Sequence, residues 1–506
     1  MNETIITNNI FKKSISKKLE WDLNVPDSKG DVLKILSSYS ECFITDYSFN
    51  NDSCNLKLEA ISKILYIPED ASSENICVLE TKENFSMDAD IPLELSWDNE
   101  DVHIKCFNEP CILINSRKLG VRLNVTALID LYSNTNLNDF MENEDICCQK
   151  KELYSTCIHA IKNEKISISP VFSLPSGKPG INEVIMLDIT LPENDLKPIT
   201  NKAVFKGNIC AELLYLSDIS TVESVRFETP FTEIIDINGI DDKMTLMYNA
   251  DVKKASCELI RGDGASGNGV TVNGVIDLRI KACTKNTKNN VWYVNDAYSP
   301  YYKEDITKTT FNTPLFSDIF TDSVSVKELL EFEDTVISEV YLVKAEALTR
   351  NAQLENGKIS MSCVLMCKVL YRTQSGIRCE TKNINFDYAQ PVKSDYDYDY
   401  ENIDIMCKCE NLSYVIAGNN MLEIRCNVKL SSYLSQMNEI TSVVSVTLDK
   451  NSPKKLNRAP VVAYYPSNDE DVFMVAKKYL TTPDKIRELN SFSGDMLKKG
   501  NCVIIE

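Results

Sequence analysis

Three long segments with alternating apolar and polar residues constrain the fold of this chain more than any other feature. They end in the sequences Lys63-Ile64-Leu65-Tyr66, Glu212-Leu213-Leu214-Tyr215 and Lys368-Val369-Leu370-Tyr371. The final tyrosines are separated by 149 and 156 residues, and each is followed by a phenylalanine, at Phe85, Phe231 and Phe386. Because a period of two residues is typical of a β-strand with one buried face, this repetition predicts three copies of one β-rich unit.

Additional strand patterns open and close each copy. The opening strands are predicted near residues 41–48, 184–191 and 340–348, and the closing strands near 120–128, 270–280 and 422–430. The predicted copies span 22–132, 171–283 and 336–450, and the polar or irregular segments 133–170 and 284–335 are predicted as linkers. Short helical patterns occur at 31–36, 154–161 and 326–330. The predicted fold class is mainly β, with three tandem sandwich-like or barrel-like units.

The last 46 residues, 461–506, predict a separate small domain with its own start and stop signals. Asp471 stands at the expected N-cap of one helix, and Thr482 followed by Pro483 marks the start of a second helix. Short apolar runs at 461–464 and 503–505 predict a strand at each end. The predicted order of elements in this tail is β-α-α-β.

The charge of the chain limits its partners. A net charge of −20 results from 54 lysines and arginines against 74 aspartates and glutamates. Such a surface repels nucleic acids and anionic membranes, so neither is expected as a partner. Residues 1–21 contain no apolar segment of the kind that a signal peptide requires, and no later run approaches the roughly 18 apolar residues of a membrane span. We therefore expect a cytoplasmic protein without membrane insertion.

Few residues suggest catalysis or a cofactor. The eighteen cysteines are scattered and include no Cys-x-x-Cys pair, which predicts reduced and mostly buried thiols rather than disulfides or zinc sites. His103 and His159 are the two histidines, and their positions suggest no catalytic arrangement with a serine or cysteine. No enzymatic activity, metal or cofactor is therefore expected.

Two further motifs have alternative interpretations. Gly262-x-Gly264-x-x-Gly267 matches a dinucleotide-binding fingerprint, but a predicted strand rather than a helix follows it, so a hairpin loop is favoured. Residues 395–401 alternate carboxylates with tyrosines. This segment is either a solvated edge or loop, or a surface that attracts a cation or a basic partner.

The tail resembles a LysM domain over its whole length. The matching motifs are Ala476-Lys477-Lys478-Tyr479, Thr481-Thr482, Leu489-Asn490 and Lys499-Gly500-Asn501. Residues 22–450 are similar to tandem SPOCS domains, through Pro26-x-x-Lys29, Lys178-Pro179-x-Ile181, Phe231-x-x-Ile234 and Asp296-Ala297-Tyr298-Ser299-Pro300. The third copy lacks the Lys-Pro motif at its start. SPOCS repeats followed by one LysM domain resemble the SipL-type spore coat morphogenetic proteins of endospore-forming clostridia.

This resemblance implies a non-enzymatic structural protein of the mother-cell cytoplasm, located at the forespore surface. Its tail would dock on the coat-basement ATPase SpoIVA or on other coat proteins, and self-association would fit the same role. The alternative is a peptidoglycan-binding protein, since LysM domains can hold N-acetylglucosamine. Sugar-binding LysM domains usually have a Gly-Asp-Thr turn where this chain has Asp469-Glu470-Asp471, and losing the glycine while gaining carboxylates favours a protein partner.

The candidate contact residues for either partner lie in the acidic turn, on the first helix and in the second loop of the tail. Phe473 is expected on the outer side of the helix, where an exposed aromatic ring would anchor a sugar or a protein groove. The equal alternative is that its ring is half-buried by packing. The full set is Asp469, Glu470, Asp471, Phe473, Asn490, Phe492, Ser493 and Met496. The expected core of the tail is Val472, Val475, Ala476, Tyr479, Ile486, Leu489 and Val503.

Overall fold

The computed structural model describes residues 5–50, 52–69, 76–93, 95–137, 144–261, 267–286, 292–317, 319–332, 336–392, 402–455 and 459–506. Within these residues the fold is mainly β, as predicted, and both helices lie in the tail. The acidic segment 395–401 and the loop residues 262–266 lie outside the described residues.

Unit 1 is a sandwich of two antiparallel sheets. Its strands are β1 (Ile5–Asn24), β2 (Val32–Phe49), β3 (Ser53–Pro68), β4 (Cys77–Asp90), β5 (Asn99–Asn108), β6 (Ile112–Asn115) and β7 (Lys118–Asn136). One sheet has the order β2-β3-β4, and the other has the order β1-β7-β5 with β6 also paired to β7. Strand β1 pairs with β7 from Ile5 onward, so residues before position 22 also contribute to this unit.

Unit 2 has a similar order of strands, but its strands belong to one continuous eight-stranded sheet. After β8 (Cys147–Glu152) come β9 (Ser155–Ile168), β10 (Val171–Ser173), β11 (Ile181–Thr190), β12 (Asn194–Ile199), β13 (Lys202–Ser217), β14 (Val222–Asp236), β15 (Thr245–Arg261) and β16 (Gly267–Asn286). A pairing of Ile181 in β11 with Gly267 in β16 joins the two halves of the unit. Strands β15 and β16 pair antiparallel up to Arg261 and Gly267, as the predicted hairpin requires.

Unit 3 is again a two-sheet sandwich. After β17 (Trp292–Tyr298) come β18 (Tyr302–Phe316), β19 (Phe320–Glu331), β20 (Glu339–Glu355), β21 (Lys358–Thr373), β22 (Gly376–Pro391), β23 (Asn402–Ile416) and β24 (Met421–Pro453). The segments expected to be linkers thus contain β8 and β9 in the first and β17 to β19 in the second. Strands β8 and β17 pair with each other in a two-stranded sheet, although almost 140 residues separate them.

The three alternating segments occupy equivalent places. They lie in β3, β13 and β21, each in the middle of three antiparallel strands, and Tyr66, Tyr215 and Tyr371 are fully buried. The Tyr66 and Tyr215 hydroxyls donate to equivalent carbonyls, of Gly30 and Pro179, both at 3.1 Å. Alternation correctly predicted these strands because the inward face of each one packs against a second layer.

The predicted helices outside the tail are wrong. Residues 31–36 and 326–330 belong mainly to β2 and β19, and 154–161 belongs mainly to β9. In β19, Val326 pairs with Cys426 and Leu330 with Leu422, and both side chains are buried. Two apolar residues four positions apart share a face in a strand as well as in a helix, so this spacing does not discriminate between them.

The three units form a closed ring. The Ile158 amide donates to Thr7 Oγ1 at 2.7 Å, the Phe316 amide to Thr156 Oγ1 at 2.9 Å, and the Asn312 amide to Asn8 Oδ1 at 2.8 Å. These contacts join unit 1 to unit 2, unit 2 to unit 3, and unit 3 to unit 1.

A shared apolar cluster also holds the ring together. The leucine before each of the three equivalent tyrosines, Leu65, Leu214 and Leu370, is buried in this cluster. Lys368 reaches from unit 3 to Ser37 Oγ of unit 1 at 3.1 Å, and Lys344 of unit 3 pairs with Asp188 of unit 2 at 2.8 Å. The repeated strands therefore supply both the core of each unit and the contacts between units.

The tail has the predicted β-α-α-β order with two short extra strands. Its elements are β25 (Val462–Tyr464), β26 (Glu470–Asp471), α1 (Val472–Tyr479), α2 (Pro483–Leu489), β27 (Met496–Leu497) and β28 (Val503–Ile505). Strand β25 pairs with β28, and β26 pairs with β27. The Asp471 side chain caps α1 by accepting from the Phe473 amide, and the Thr482 side chain caps α2 by accepting from the Lys485 amide, as predicted.

Candidate functional site

The tail docks on the β8–β17 sheet of the body through an aromatic pair. The rings of Phe473 and Tyr298 meet edge to face with centroids 5.1 Å apart. The Tyr298 hydroxyl donates to the backbone oxygen of Thr481 at 2.7 Å, in a buried position. Phe473 is 5% exposed, so its expected place on a solvent-exposed surface is wrong and the alternative of a packed ring is favoured. Its ring belongs to the apolar core of the tail, and Tyr298 packs against it from the body.

Charged and polar contacts surround this aromatic pair. Asp296 lies between two lysines, with its Oδ2 2.5 Å from Lys477 Nζ and its Oδ1 2.9 Å from Lys308 Nζ. Burial alone would raise the pKa of Asp296, but the hydrogen bonds from Lys477 and Lys308 lower it below its ordinary value. The Gln149 side chain donates to Asp471 Oδ2 at 2.7 Å. The tail is therefore held by β8 and β17 together.

Two carboxylates of the predicted acidic turn have partners within the tail. Asp469 Oδ2 lies 2.7 Å from Lys498 Nζ, and its Oδ1 accepts from the Lys499 amide at 3.0 Å. The Lys498 hydrogen bond lowers the pKa of Asp469, with help from the Lys499 amide. Glu470 accepts from the Tyr464 hydroxyl at 2.6 Å. These contacts connect the acidic turn to the loop before β28. Asp469 remains exposed to solvent.

The second loop combines structural and exposed residues. Asn490 Nδ2 donates to the carbonyls of Ile486 and Ile504 at 2.7 and 2.8 Å, and its Oδ1 accepts from the Ile504 amide at 2.7 Å. Asn490 therefore ties the end of α2 to β28. Phe492 is half-buried against the tail core, whereas Ser493 and Met496 are exposed.

The most exposed large apolar residues on the helices of the tail were not among the candidate contact residues. Met474 is 53% exposed, directly after the buried Phe473, and Leu489 is 42% exposed instead of belonging to the core. Met496, a candidate contact residue, is 43% exposed. We call Met474, Leu489, Ser493 and Met496 the tail surface. The helical period alone could not identify these exposures, because α1 packs against Tyr298 of the body as well as against the core of the tail.

A second notable feature is a buried charge cluster where the three units meet. Asp101 of unit 1 is almost completely buried, and its Oδ2 lies 2.9 Å from Lys281 Nζ of unit 2. Arg279 Nη1 and His103 Nδ1 lie 3.5 and 3.6 Å from Asp101 Oδ1. The Lys281 ammonium also lies over the rings of Tyr132 and Phe316, from units 1 and 3. Sequence reasoning missed this cluster because it had no signal for contacts between units.

This cluster lines a large cavity between the units. The cavity has a volume of about 1650 Å³, and its walls include β5, β16 and β23 of the three units. Burial alone would raise the pKa of Asp101, but Lys281, His103 and Arg279 lower it far below its ordinary value. Burial alone would lower the pKa of Lys281, but Asp101 raises it. Both groups therefore stay charged in the folded protein, and together they fasten unit 1 to unit 2.

The Asp101 pair is expected to make stability depend on pH at the acid end. Since the folded pKa lies below the ordinary 3.8, the carboxylate stabilises the fold fully above that pH and loses this contribution as the pH falls towards the folded pKa. The Asp101→Asn variant lacks this contribution. In urea unfolding, the stability gap between wild type and variant should therefore be smaller at about pH 3 than at about pH 7. An equal gap at both values would contradict this assignment.

The fold defines a class of protein: three packed β-units with a docked β-α-α-β tail. Residues 180–260 match the family model described as SipL, SPOCS domain, and this segment contains β11 to β14 and β15 up to Ile260. The match supports a SPOCS-type domain in unit 2 and suggests a protein related to sporulation or the spore coat. Searches of curated proteins and of solved structures found no match. Among the described helices, none has the length and apolar character needed to cross a membrane.

Proposed function

We propose that this protein is a non-enzymatic structural component of the endospore coat, which links coat layers to the forespore surface. In this proposal the three units are SPOCS-type scaffolds, and the tail is a LysM-type domain that docks a protein partner. The expected partner is the coat ATPase SpoIVA, in the mother-cell cytoplasm at the forespore surface. The SPOCS match of unit 2 and the equivalent strand arrangements of units 1 and 3 support the scaffold role.

The observation that carries this proposal is the way in which the tail is held. One face of α1 is fixed by Tyr298 and Asp296, while the tail surface stays open to solvent. A tail held by several specific contacts presents its open face in one orientation relative to the ring. Binding then costs less entropy than it would for a freely tethered domain, which suits a connecting protein.

The chemistry of the tail surface favours a protein over a glycan. Met474, Leu489 and Met496 offer apolar contact area, and methionine adapts well to irregular protein grooves. The tail carries six lysines and arginines against seven acidic residues, so charge contributes little to its recognition. In addition, the turn that is Gly-Asp-Thr in sugar-binding LysM domains begins here with Asp469, whose carboxylate is paired with Lys498.

Replacing Met474 and Met496 with alanine in the full-length protein is expected to weaken SpoIVA binding by about tenfold or more, or ~1.4 kcal/mol. The tail should remain folded, because both side chains project into solvent. Val171→Ala is the matched control, since Val171 is an exposed apolar residue of unit 2 and its loss should leave binding unchanged. Affinity is measured with purified SpoIVA by surface plasmon resonance.

The same proteins are also sedimented with purified peptidoglycan. If the full-length wild type sediments with the glycan and retains no SpoIVA, the protein-docking proposal is wrong and the glycan-binding alternative replaces it. If it binds SpoIVA but the double variant binds equally well, the partner is right and the tail surface is wrongly placed.

A further inference from the structure

Units 1 and 3 each contain a pair of cysteines that face each other across the two sheets of the sandwich. In unit 1, Cys42 lies on β2 and Cys106 on β5. In unit 3, Cys363 lies on β21 and Cys407 on β23. Cys42 and Cys363 are buried, whereas Cys106 is exposed and Cys407 is half-buried. Each pair therefore combines an inner thiol with a more accessible one.

The thiols of each pair are neighbours. Cys106 Sγ donates to the Cys42 carbonyl at 3.6 Å, which places it beside the Cys42 side chain. In unit 3 one hydroxyl lies within reach of both sulfurs. Thr349 Oγ1 lies 3.2 Å from Cys407 Sγ and 3.9 Å from Cys363 Sγ, so it holds both sulfurs in one place.

The two thiols of each pair differ in pKa and therefore in reactivity. The hydrogen bond from Cys42 lowers the pKa of Cys106, and the hydrogen bond from Cys363 lowers the pKa of Cys407 to about 7. The same bonds, together with burial, raise the pKa of Cys42 and Cys363. Since the thiolate is the reactive form, the more accessible sulfur of each pair is the nucleophile.

We propose that Cys42–Cys106 and Cys363–Cys407 are oxidation sites at which a peroxide forms a disulfide between the two sheets of a unit. The Cys106 thiolate sulfur attacks one peroxide oxygen, the O–O bond breaks, and hydroxide leaves, which gives a sulfenic acid. The Cys42 sulfur then attacks the Cys106 sulfur and displaces its hydroxyl group, which leaves as water with the Cys42 proton. Two thiols are oxidised, and one peroxide is reduced to two waters. Cys407 and Cys363 react in the same way.

Such a cross-link would change the protein from a set of separable sheets to covalently closed sandwiches. A disulfide that closes a long loop stabilises chiefly by restricting the unfolded chain. Cys42 and Cys106 are 64 residues apart, and Cys363 and Cys407 are 44 residues apart. The expectation of reduced thiols in the fresh protein is compatible with this reaction, because the structure has all eighteen cysteines free.

Two other arrangements of these cysteines are less well supported. Within the described residues, no group of three or more histidine, cysteine or acidic side chains is arranged to hold a metal ion, so a thiolate metal site is not favoured. Cys210 of unit 2 is buried and lies opposite Thr190, rather than opposite a cysteine, in the β11–β13 pairing. It therefore serves as an internal control that should remain a free thiol.

The test uses full-length protein with the Cys502→Ser substitution, which removes an exposed thiol that could cross-link two molecules. The protein is treated with hydrogen peroxide, alkylated without reduction, digested and mapped by mass spectrometry. We expect two linked peptide pairs, Cys42 with Cys106 and Cys363 with Cys407, each lighter by two hydrogens and each restored by dithiothreitol. The thermal midpoint should rise by at least a few degrees on oxidation.

Two variants test the pairing. Cys106→Ala should abolish the Cys42 link and leave the Cys363–Cys407 link intact, whereas Cys111→Ala, which changes a half-buried thiol nearby in sequence, should leave both links. The wild-type map decides even if a variant folds poorly. Alkylated Cys42 and Cys363 after peroxide treatment, a cross-link from any of the four cysteines to a cysteine outside its pair, or bound zinc that protects these thiols would each overturn the proposal.

Discussion

Replacing Asp101 with alanine is expected to lower the free energy of unfolding by about 3–5 kcal/mol. The substitution leaves the Lys281 ammonium buried without its closest counter-charge, which lies 2.9 Å away in the wild type. Arg279 loses a partner at the same time. A buried unpaired charge is far more costly than a missing surface pair, so this single change should loosen the contact between units 1 and 2.

Two comparisons isolate the buried pair. Asp90→Ala is the matched control, because Asp90 is fully exposed and pairs only at the surface with Lys13, at 3.4 Å; its effect should stay below about 1 kcal/mol. Adding Lys281→Met to Asp101→Ala should recover part of the loss, since both charges are then gone. Stability is measured by urea unfolding at neutral pH. The Lys281→Met single variant completes the comparison. If the stability loss of the double variant equals or exceeds the sum of the two single-variant losses, the two charges do not interact directly.

The sequence predicted those parts of the fold in which local pattern and burial agree. In β3, β13 and β21 the alternating apolar residues and the terminal tyrosine require the same buried face, and the structure has that face. The leucine before each tyrosine lies on the opposite face, in the cluster between units. The caps of α1 and α2 were equally predictable, because Asp471 and Thr482 act on amides two or three residues away. Local chemistry was sufficient for these elements.

What the sequence did not predict depends on contacts between distant segments. The pairing of β8 with β17 creates the surface that covers Phe473, and no periodicity in residues 472–479 reveals that Tyr298 will lie there. Asp101 and Lys281 likewise alternate in ordinary strands and become a charge cluster only when units 1 and 2 meet. Among the candidate site residues, Asn490 was also chosen without knowledge of its bonds to Ile504. In each case the missing information was a tertiary contact.

Phe473→Ala is expected to destabilise the tail by ~3–5 kcal/mol, the usual cost of deleting a buried phenylalanine ring. The ring contributes to the tail core and to the contact with Tyr298, so both should weaken together. Met474→Ala changes the next residue, which is exposed, and should cost less than about 0.5 kcal/mol. Hydrogen exchange of the α1 and α2 amides in the full-length protein measures the loss directly.

A change at Tyr298 separates docking from tail stability. Tyr298→Ala removes the docking ring and the hydroxyl that donates to Thr481 while leaving every residue of the tail in place. If the tail folds by itself, its amides should keep most of their protection in this variant, whereas residues 147–152 and 292–298 should become less protected. SpoIVA binding should then weaken in Tyr298→Ala only if the body orients the tail surface for its partner. Unchanged binding, with docking lost, would show that the tail acts as an independent tethered module.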